Sequence, residues 1–262
     1  MNRTTSVLLL AALLPAVAPA HVRAEIQTET IEYKDGETSL KGHLVYDDSI
    51  EGKRPGVMVV HEWWGLNDYA KKRTEMLAEL GYVAFAADMY GDDKVTDHAP
   101  DAKGWMQQIT GNVDAWQARA LSGLEILKGS ELVDDDKLAA IGYCFGGATV
   151  MQMAYAGADL DGVVSFHGSL PAAPDDADIK AKVLAAHGYA DGFVPAEQVD
   201  AFEKSLAAAG ADWQLAVYSD ARHAFTNPNA GEYGIDMLQY NPEADKRSWA
   251  LMQSFLGEIF VD

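Results

Sequence analysis

The chain has one cysteine in 262 residues. A single thiol excludes an internal disulfide framework and every zinc or iron-sulfur site built from several cysteines. Basic residues are also scarce: 20 Lys plus Arg stand against 40 Asp plus Glu, a formal charge of -20. Nucleic acid is therefore not an expected partner, because little here could neutralise phosphates. No Pro-, Gly- or Ser-rich stretch is long enough to be a linker, and no fixed-period repeat occurs, so one domain is expected. What is abundant is apolar material. With 48% hydrophobic and 10% aromatic residues, the chain can bury a substantial core, and disorder is excluded.

The N-terminus reads as an export signal. Arg3 precedes an uncharged run, Thr4 to Val22, whose apolar heart Val7–Ala20 contains Pro15 and Pro19. Cleavage after Ala20 or after Ala24 fits equally, the expected boundary being residues 1–24 as signal and 25–262 as the mature domain. A retained anchor fits less well, since two prolines interrupt a run shorter than the roughly 20 apolar residues a spanning helix needs. The mature protein is expected to be periplasmic or secreted and free of the membrane. Losing Arg3 and Arg23 takes the formal charge to -22.

Beyond the signal, Ile26–Tyr33 and Ser39–Tyr46 alternate apolar and polar residues around Asp35-Gly36, which predicts an antiparallel hairpin. Short, continuously apolar runs follow at Gly56–Val60, Tyr82–Ala87, Leu138–Gly142, Gly162–Phe166, Val183–His187 and Leu215–Tyr218. Such runs suit strands buried on both faces of a mostly parallel sheet. Helical spacing separates them at Asp68–Leu80, Trp105–Leu127 with a break at Gly111, Gly147–Tyr155, Ala196–Ala208 and Pro242–Phe260. The predicted fold class is α/β: a doubly wound, mostly parallel sheet with an antiparallel N-terminal hairpin and helices on both faces. Ligands in such sheets sit at the carboxyl ends of the strands.

Three loops at those ends carry chemistry. The turn Gly142-Tyr143-Cys144-Phe145-Gly146-Gly147 lies between a strand and a small-residue helix start, the pattern of a nucleophile elbow with Cys144 at its tip. Small neighbours two positions away let the tip adopt a strained backbone, and the following helix N-terminus favours a thiolate. After the next-but-one strand, Asp191 is exposed in Gly188–Pro195. After the last strand, His223 follows in Ser219–Phe225. Nucleophile, acid and histidine in this order match an α/β-hydrolase arrangement more specifically than any one motif. Asp220 and the cluster Asp175, Asp176 and Asp178 are weaker candidates for the acid. His61-Glu62 opens like a zinc-protease motif, but Gly65 stands where its second histidine would be, so no metal site is expected. His43, His98, His167 and His187 read as satisfied structural histidines.

The elbow, the loop Asp191-Gly192-Phe193-Val194-Pro195, the segment His223-Ala224-Phe225 and His61-Glu62-Trp63-Trp64-Gly65-Leu66-Asn67 together resemble the dienelactone hydrolase family, from about Ser39 to Phe260. The resemblance implies an α/β-hydrolase fold and a triad of Cys144, Asp191 and His223, with Glu62 as a carboxylate that pairs with the resting thiol. It also implies an oxyanion hole from the backbone N–H groups of Trp63 and Phe145. Family members that open dienelactone hold its carboxylate with two arginines; Asp92 and Asn227 stand at those places here. A small neutral ester or lactone is therefore the expected substrate rather than dienelactone, with no cofactor required. Trp64, Tyr90, Tyr143, Phe193 and Phe225 are expected to line an apolar pocket. A binding protein on a hydrolase scaffold and a single-thiol redox protein are the rival readings, the latter lacking a resolving thiol. A monomer is expected, with a dimer as the alternative.

Overall fold

A computed structural model describes residues 25–261; the signal-like segment 1–24 lies outside the described residues. Eight strands form one sheet in the order β1-β2-β4-β3-β5-β6-β7-β8. β1 (Ile26–Asp35) and β2 (Thr38–Asp47) make the antiparallel hairpin, and β2 joins β4 (Val83–Ala87) antiparallel through His43 to Val45. From there the sheet is parallel: β4, β3 (Arg54–Val60), β5 (Val133–Tyr143), β6 (Gly162–Phe166), β7 (Lys182–Gly188) and β8 (Trp213–Tyr218).

The period-two geometry of strands sends neighbouring side chains to opposite faces, and both faces are covered. Val57, Val59, Ala139 and Ile141 pack with Leu77 of α1 (Asp68–Ala78) and with Met252, Phe255 and Leu256 of α6 (Pro242–Ile259). Met58, Val60, Leu138 and Ala140 point the other way, onto Leu124 and Leu127 of α3 (Val113–Lys128), Met151 of α4 (Phe145–Tyr155) and Phe202 of α5 (Ala196–Ala208). Each such fully buried Leu, Val or Phe contributes roughly 1.5–3 kcal/mol relative to exposure.

Most element boundaries fall within two residues of the sequence expectation, the main departures being the starts of α2 and β5. The long helical stretch breaks at Gly111 as expected, into two helices, α2 (Ala99–Thr110) and α3, with Asn112 capping the second through the Ala115 N–H. α2 begins six residues earlier than Trp105. α1 is capped by Asn67, whose side chain accepts from the Ala70 N–H. β5 begins at Val133, because Val133 and Asp134 pair with Arg54 and Pro55 before a register shift reaches Leu138 opposite Gly56. The acidic run Asp134 to Asp136 hid that extension, since it breaks the apolar pattern by which a buried strand is read.

A third, smaller apolar cluster sits above the strand ends. Trp64, Ala102, Ala224, Ala230 and Leu238 are buried in it, with Trp64 stacked on Tyr233 at 3.9 Å between centroids. It ties α2 and the chain between Ala224 and Leu238 to the loop after β3, and so roofs the carboxyl edge of the sheet.

Candidate active site

The site is assembled from the ends of four parallel strands. Cys144 follows β5 directly and has φ 55°, ψ -112°, a conformation L residues seldom adopt. Close approach explains the glycines beside it: a Cβ on Gly142 would lie 2.0 Å from the Gly146 carbonyl oxygen, and one on Gly146 would lie 2.1 Å from that of Val60. The strand must therefore turn into α4 with nothing on either flank, which lifts the sulfur above the sheet. Cys144 is also held by its own N–H, which donates to the Phe166 carbonyl at 3.0 Å.

His223 and Asp191 meet the thiol from β8 and β7. The Nδ1–H of His223 donates to Asp191 Oδ2 at 2.7 Å, and Asp191 Oδ1 accepts the Phe193 N–H at 2.9 Å. The His223 ring and the Cys144 thiol line the same cavity. Burial works against charging the ring, yet the negative sulfur of ionised Cys144 and the Asp191 carboxylate outweigh it and raise the His223 pKa well above the ordinary histidine value. The three residues named from the sequence are thus brought together, Asp191 hydrogen-bonded to His223 and His223 beside Cys144 at one cavity, with Asp191 and His223 5% and 6% exposed.

Glu62, just beyond β3, is wholly buried close by. Its Oε2 accepts from Asn227 Nδ2 at 2.6 Å. Burial pushes the Glu62 carboxyl up to about 7, opposed by the Asn227 hydrogen bond and by the positive charges of His223 and Arg73. A buried carboxylate takes the nearest good donor, and four residues past His223 that donor is an amide. Asp92, at the other place of interest, is an exposed residue paired with Lys94 and lines no part of the cavity beside the thiol.

That cavity, about 200 Å³, is lined by Trp63, Met106, Cys144, Phe193, His223 and Leu238. Of the five aromatic residues expected to line it, Phe193 does so, half-exposed and edge-on to His223. Tyr90 lies one layer beneath, stacked on Phe145 and donating its hydroxyl to the Trp63 carbonyl at 3.1 Å. The other three are corrections. Tyr143 and Phe225 alternate away from the cavity into the core beneath α1 and α6, and Trp64 turns into the roof cluster. Met106 and Leu238 went unnoticed because neither belongs to a motif. Met106 sits on a helix that begins before its apolar spacing is apparent, and Leu238 lies in a loop without pattern.

Trp63 lines the cavity beside Cys144, and Phe145 directly follows Cys144 in the chain. Among the described residues, the Trp63 N–H donates to no protein acceptor, and Phe145 is the first residue of α4, where a helix leaves its amides unpaired.

Three histidines read as satisfied are less so: His43 Nε2, His167 Nδ1 and His187 Nδ1 are buried without partners. His167 nevertheless bonds Thr226 Oγ1 at 2.6 Å, which also meets the Tyr69 hydroxyl at 2.6 Å, and Arg73 donates to the Thr226 carbonyl and to Asp245. The segment after His223 is thereby fastened from three sides. No sequence signal marked that network, because its members come from four separate segments of the chain.

A strained cysteine elbow after β5, an acid after β7 and a histidine after β8 of a mixed eight-stranded sheet define an α/β-hydrolase. Residues 40–260 match the dienelactone hydrolase family, and the chain belongs to that family of carboxylic ester hydrolases. Among solved structures, a dienelactone hydrolase-like promiscuous phosphotriesterase from metagenomic libraries is 38% identical, with a TM-score of 0.88 over 91% of this chain and 100% of that one. A protein called m3DLH is 40% identical, with a TM-score of 0.87 over 90% and 99% of the two chains. Protein usf of Aquifex pyrophilus is 29% identical over 89% of this chain and 99% of its own length.

Proposed function

We propose that the protein is a cysteine-dependent esterase acting on small, uncharged esters or lactones through an acyl-thioester on Cys144. The observation that carries the reading is the buried Asp191–His223 hydrogen bond beside Cys144, with thiol and imidazole lining one cavity. His223, oriented by Asp191, takes the thiol proton, and the thiolate attacks the substrate carbonyl carbon. The oxyanion is received by the N–H groups of Trp63 and Phe145, each worth roughly 3 kcal/mol in the transition state. Collapse expels the alcohol, which takes its proton from His223, and leaves the thioester. His223 then deprotonates a water that attacks the thioester, and the carboxylic acid departs as the thiol is restored.

Glu62 acts at one remove. Its charge lies in the field of His223 and favours the imidazolium that forms as the thiol ionises. The cavity wall is apolar apart from the reacting groups and holds no lysine or arginine, and the protein carries a large negative charge, so nothing beyond the reacting groups would receive a substrate carboxylate. Uncharged acyl and alkoxy groups fit that wall. Neutral phosphotriesters share the same character, and the 38% identical relative, a promiscuous phosphotriesterase by name, puts them in the test panel. The Arg3-led apolar segment supports an exported enzyme, which N-terminal sequencing of the protein from its native host checks.

The test is hydrolysis of p-nitrophenyl acetate, a lactone panel including dienelactone, and a neutral phosphotriester by residues 25–262 and the C144A variant. Turnover that falls at least a thousandfold with C144A supports the mechanism, as does mass-spectrometric detection of an acyl group on Cys144. Turnover that survives C144A overturns it.

A further inference from the structure

His61 is wholly buried, and the proposed mechanism does not use it. Its Nε2 receives the Met89 N–H at 3.2 Å. A backbone N–H can only donate, so Nε2 carries the lone pair, and the neutral ring must hold its proton on Nδ1. That Nδ1–H points at the Glu62 carbonyl oxygen, 2.5 Å away. The Glu62 carbonyl and the Trp63 N–H are the two ends of one planar trans peptide. Fixing one end fixes the other, in the opposite direction.

We propose that His61 is a positioning residue for the oxyanion hole: by donating to the Glu62 carbonyl, it aims the Trp63 N–H at the oxyanion and sharpens it as a donor. This inference rests on the esterase reading and its assignment of Trp63. A hydrogen bond accepted at a peptide oxygen polarises the unit and makes its N–H a stronger donor. The Gly65 N–H adds a second, longer bond to the same oxygen at 3.3 Å. The next peptide is held as well, since the Tyr90 hydroxyl donates to the Trp63 carbonyl.

The same ring reaches the other half of the hole. His61 lies edge-on to Tyr90 at 5.0 Å and tilted against Phe145 at 6.0 Å, while Tyr90 stacks on Phe145 at 5.7 Å. Gly146, the residue after Phe145, sits so close to His61 that a Cβ there would lie 2.7 Å from the His61 carbonyl oxygen. The two amides thus share one aromatic underlayer in which His61 is the polar member.

The test uses three variants and two readouts. H61L removes the donor, H61N retains one at the place of Nδ1, and H61Q retains an acceptor for Met89 without that donor. kcat and KM are measured with p-nitrophenyl acetate. Alkylation of Cys144 by iodoacetamide, which forms no oxyanion, is measured beside them. H61L is expected to lose about 10- to 100-fold in kcat with KM and the alkylation rate within twofold, and H61N to recover to within about fivefold of the parent. If H61L does not fold, H61Q is expected to show the same loss. A kcat within twofold of the parent in the donor-less variant overturns the inference, as does an equal fall in alkylation or a failure of H61N to recover. Turnover surviving C144A overturns the esterase reading and this one with it, whereas a dead C144A beside a fully active H61L overturns this one alone.

Discussion

Two buried carboxylates stand at the carboxyl edge of the sheet, and their surroundings differ in one respect. Asp191, after β7, has both oxygens engaged, one by the His223 ring and one by the Phe193 N–H. Glu62, after β3, is equally hidden, but its side chain has a single neutral donor, the Asn227 amide. The cost of burying charge is offset at Asp191 by two donors and at Glu62 by one, and burial pushes the Glu62 carboxyl up to about 7. The comparison teaches that burial makes a carboxylate expensive, and that its donors decide whether it serves as a fixed counter-charge or as a group poised to exchange a proton.

The contrast can be broken from either side. The largest effect is expected for D191N, which keeps the shape but removes the charge and presents the wrong hydrogen-bonding partner to Nδ1. Steady-state kinetics should show kcat falling about 10²- to 10⁴-fold. Next is E62Q. Because the folded-state value of Glu62 lies above the ordinary 4.5, the folded protein holds the proton more tightly than the unfolded chain. The associated stability is complete below about pH 4.5 and is lost as pH rises to about 7, an amount of about 3 kcal/mol. Denaturant unfolding at pH 4, 5.5, 7 and 8 should show that slope in the parent and not in E62Q, while kcat changes less than tenfold.

N227A removes the donor and leaves the carboxyl alone in the interior. It should cost about 1–3 kcal/mol at pH 8 and move the Glu62 titration upward, measured by the pH dependence of unfolding and by the carboxyl band in the infrared. The smallest effect sharpens the substrate side: L238A trims the apolar wall and should raise KM for butyrate esters severalfold more than for acetate, worth about 1 kcal/mol.

The hairpin, the parallel strands and the alternating helices were legible because each rests on local chemistry. Apolar runs of strand length need both faces covered, and Asp35-Gly36 or Asn241-Pro242 punctuate the chain wherever they occur. Cys144, Asp191 and His223 were legible for a related reason: the chain order of strands dictates that the loops following them share one edge, so residues far apart in sequence could be assigned to a common site. The glycines around Cys144 announced a tight turn by themselves.

Direction and partner were beyond the sequence. Tyr143 and Phe225 adjoin Cys144 and His223 by one and two residues, yet both point into the core, because the pleat and the loop path decide which of two neighbours faces the cavity. Trp64 was claimed by Tyr233, 169 positions away. Glu62 had no partner legible within the chain's local pattern, and tertiary packing set Asn227 against it. His61 read as a failed metal motif until folding set Met89 against one ring nitrogen and the Glu62 carbonyl against the other. The sequence by itself determined the element order, the edge on which the strand-end loops gather and the place there of Cys144, Asp191 and His223. Only the tertiary structure decided which hydrogen-bond partner each buried polar group takes, because that choice depends on distances of a few tenths of an ångström between segments that the covalent chain leaves free.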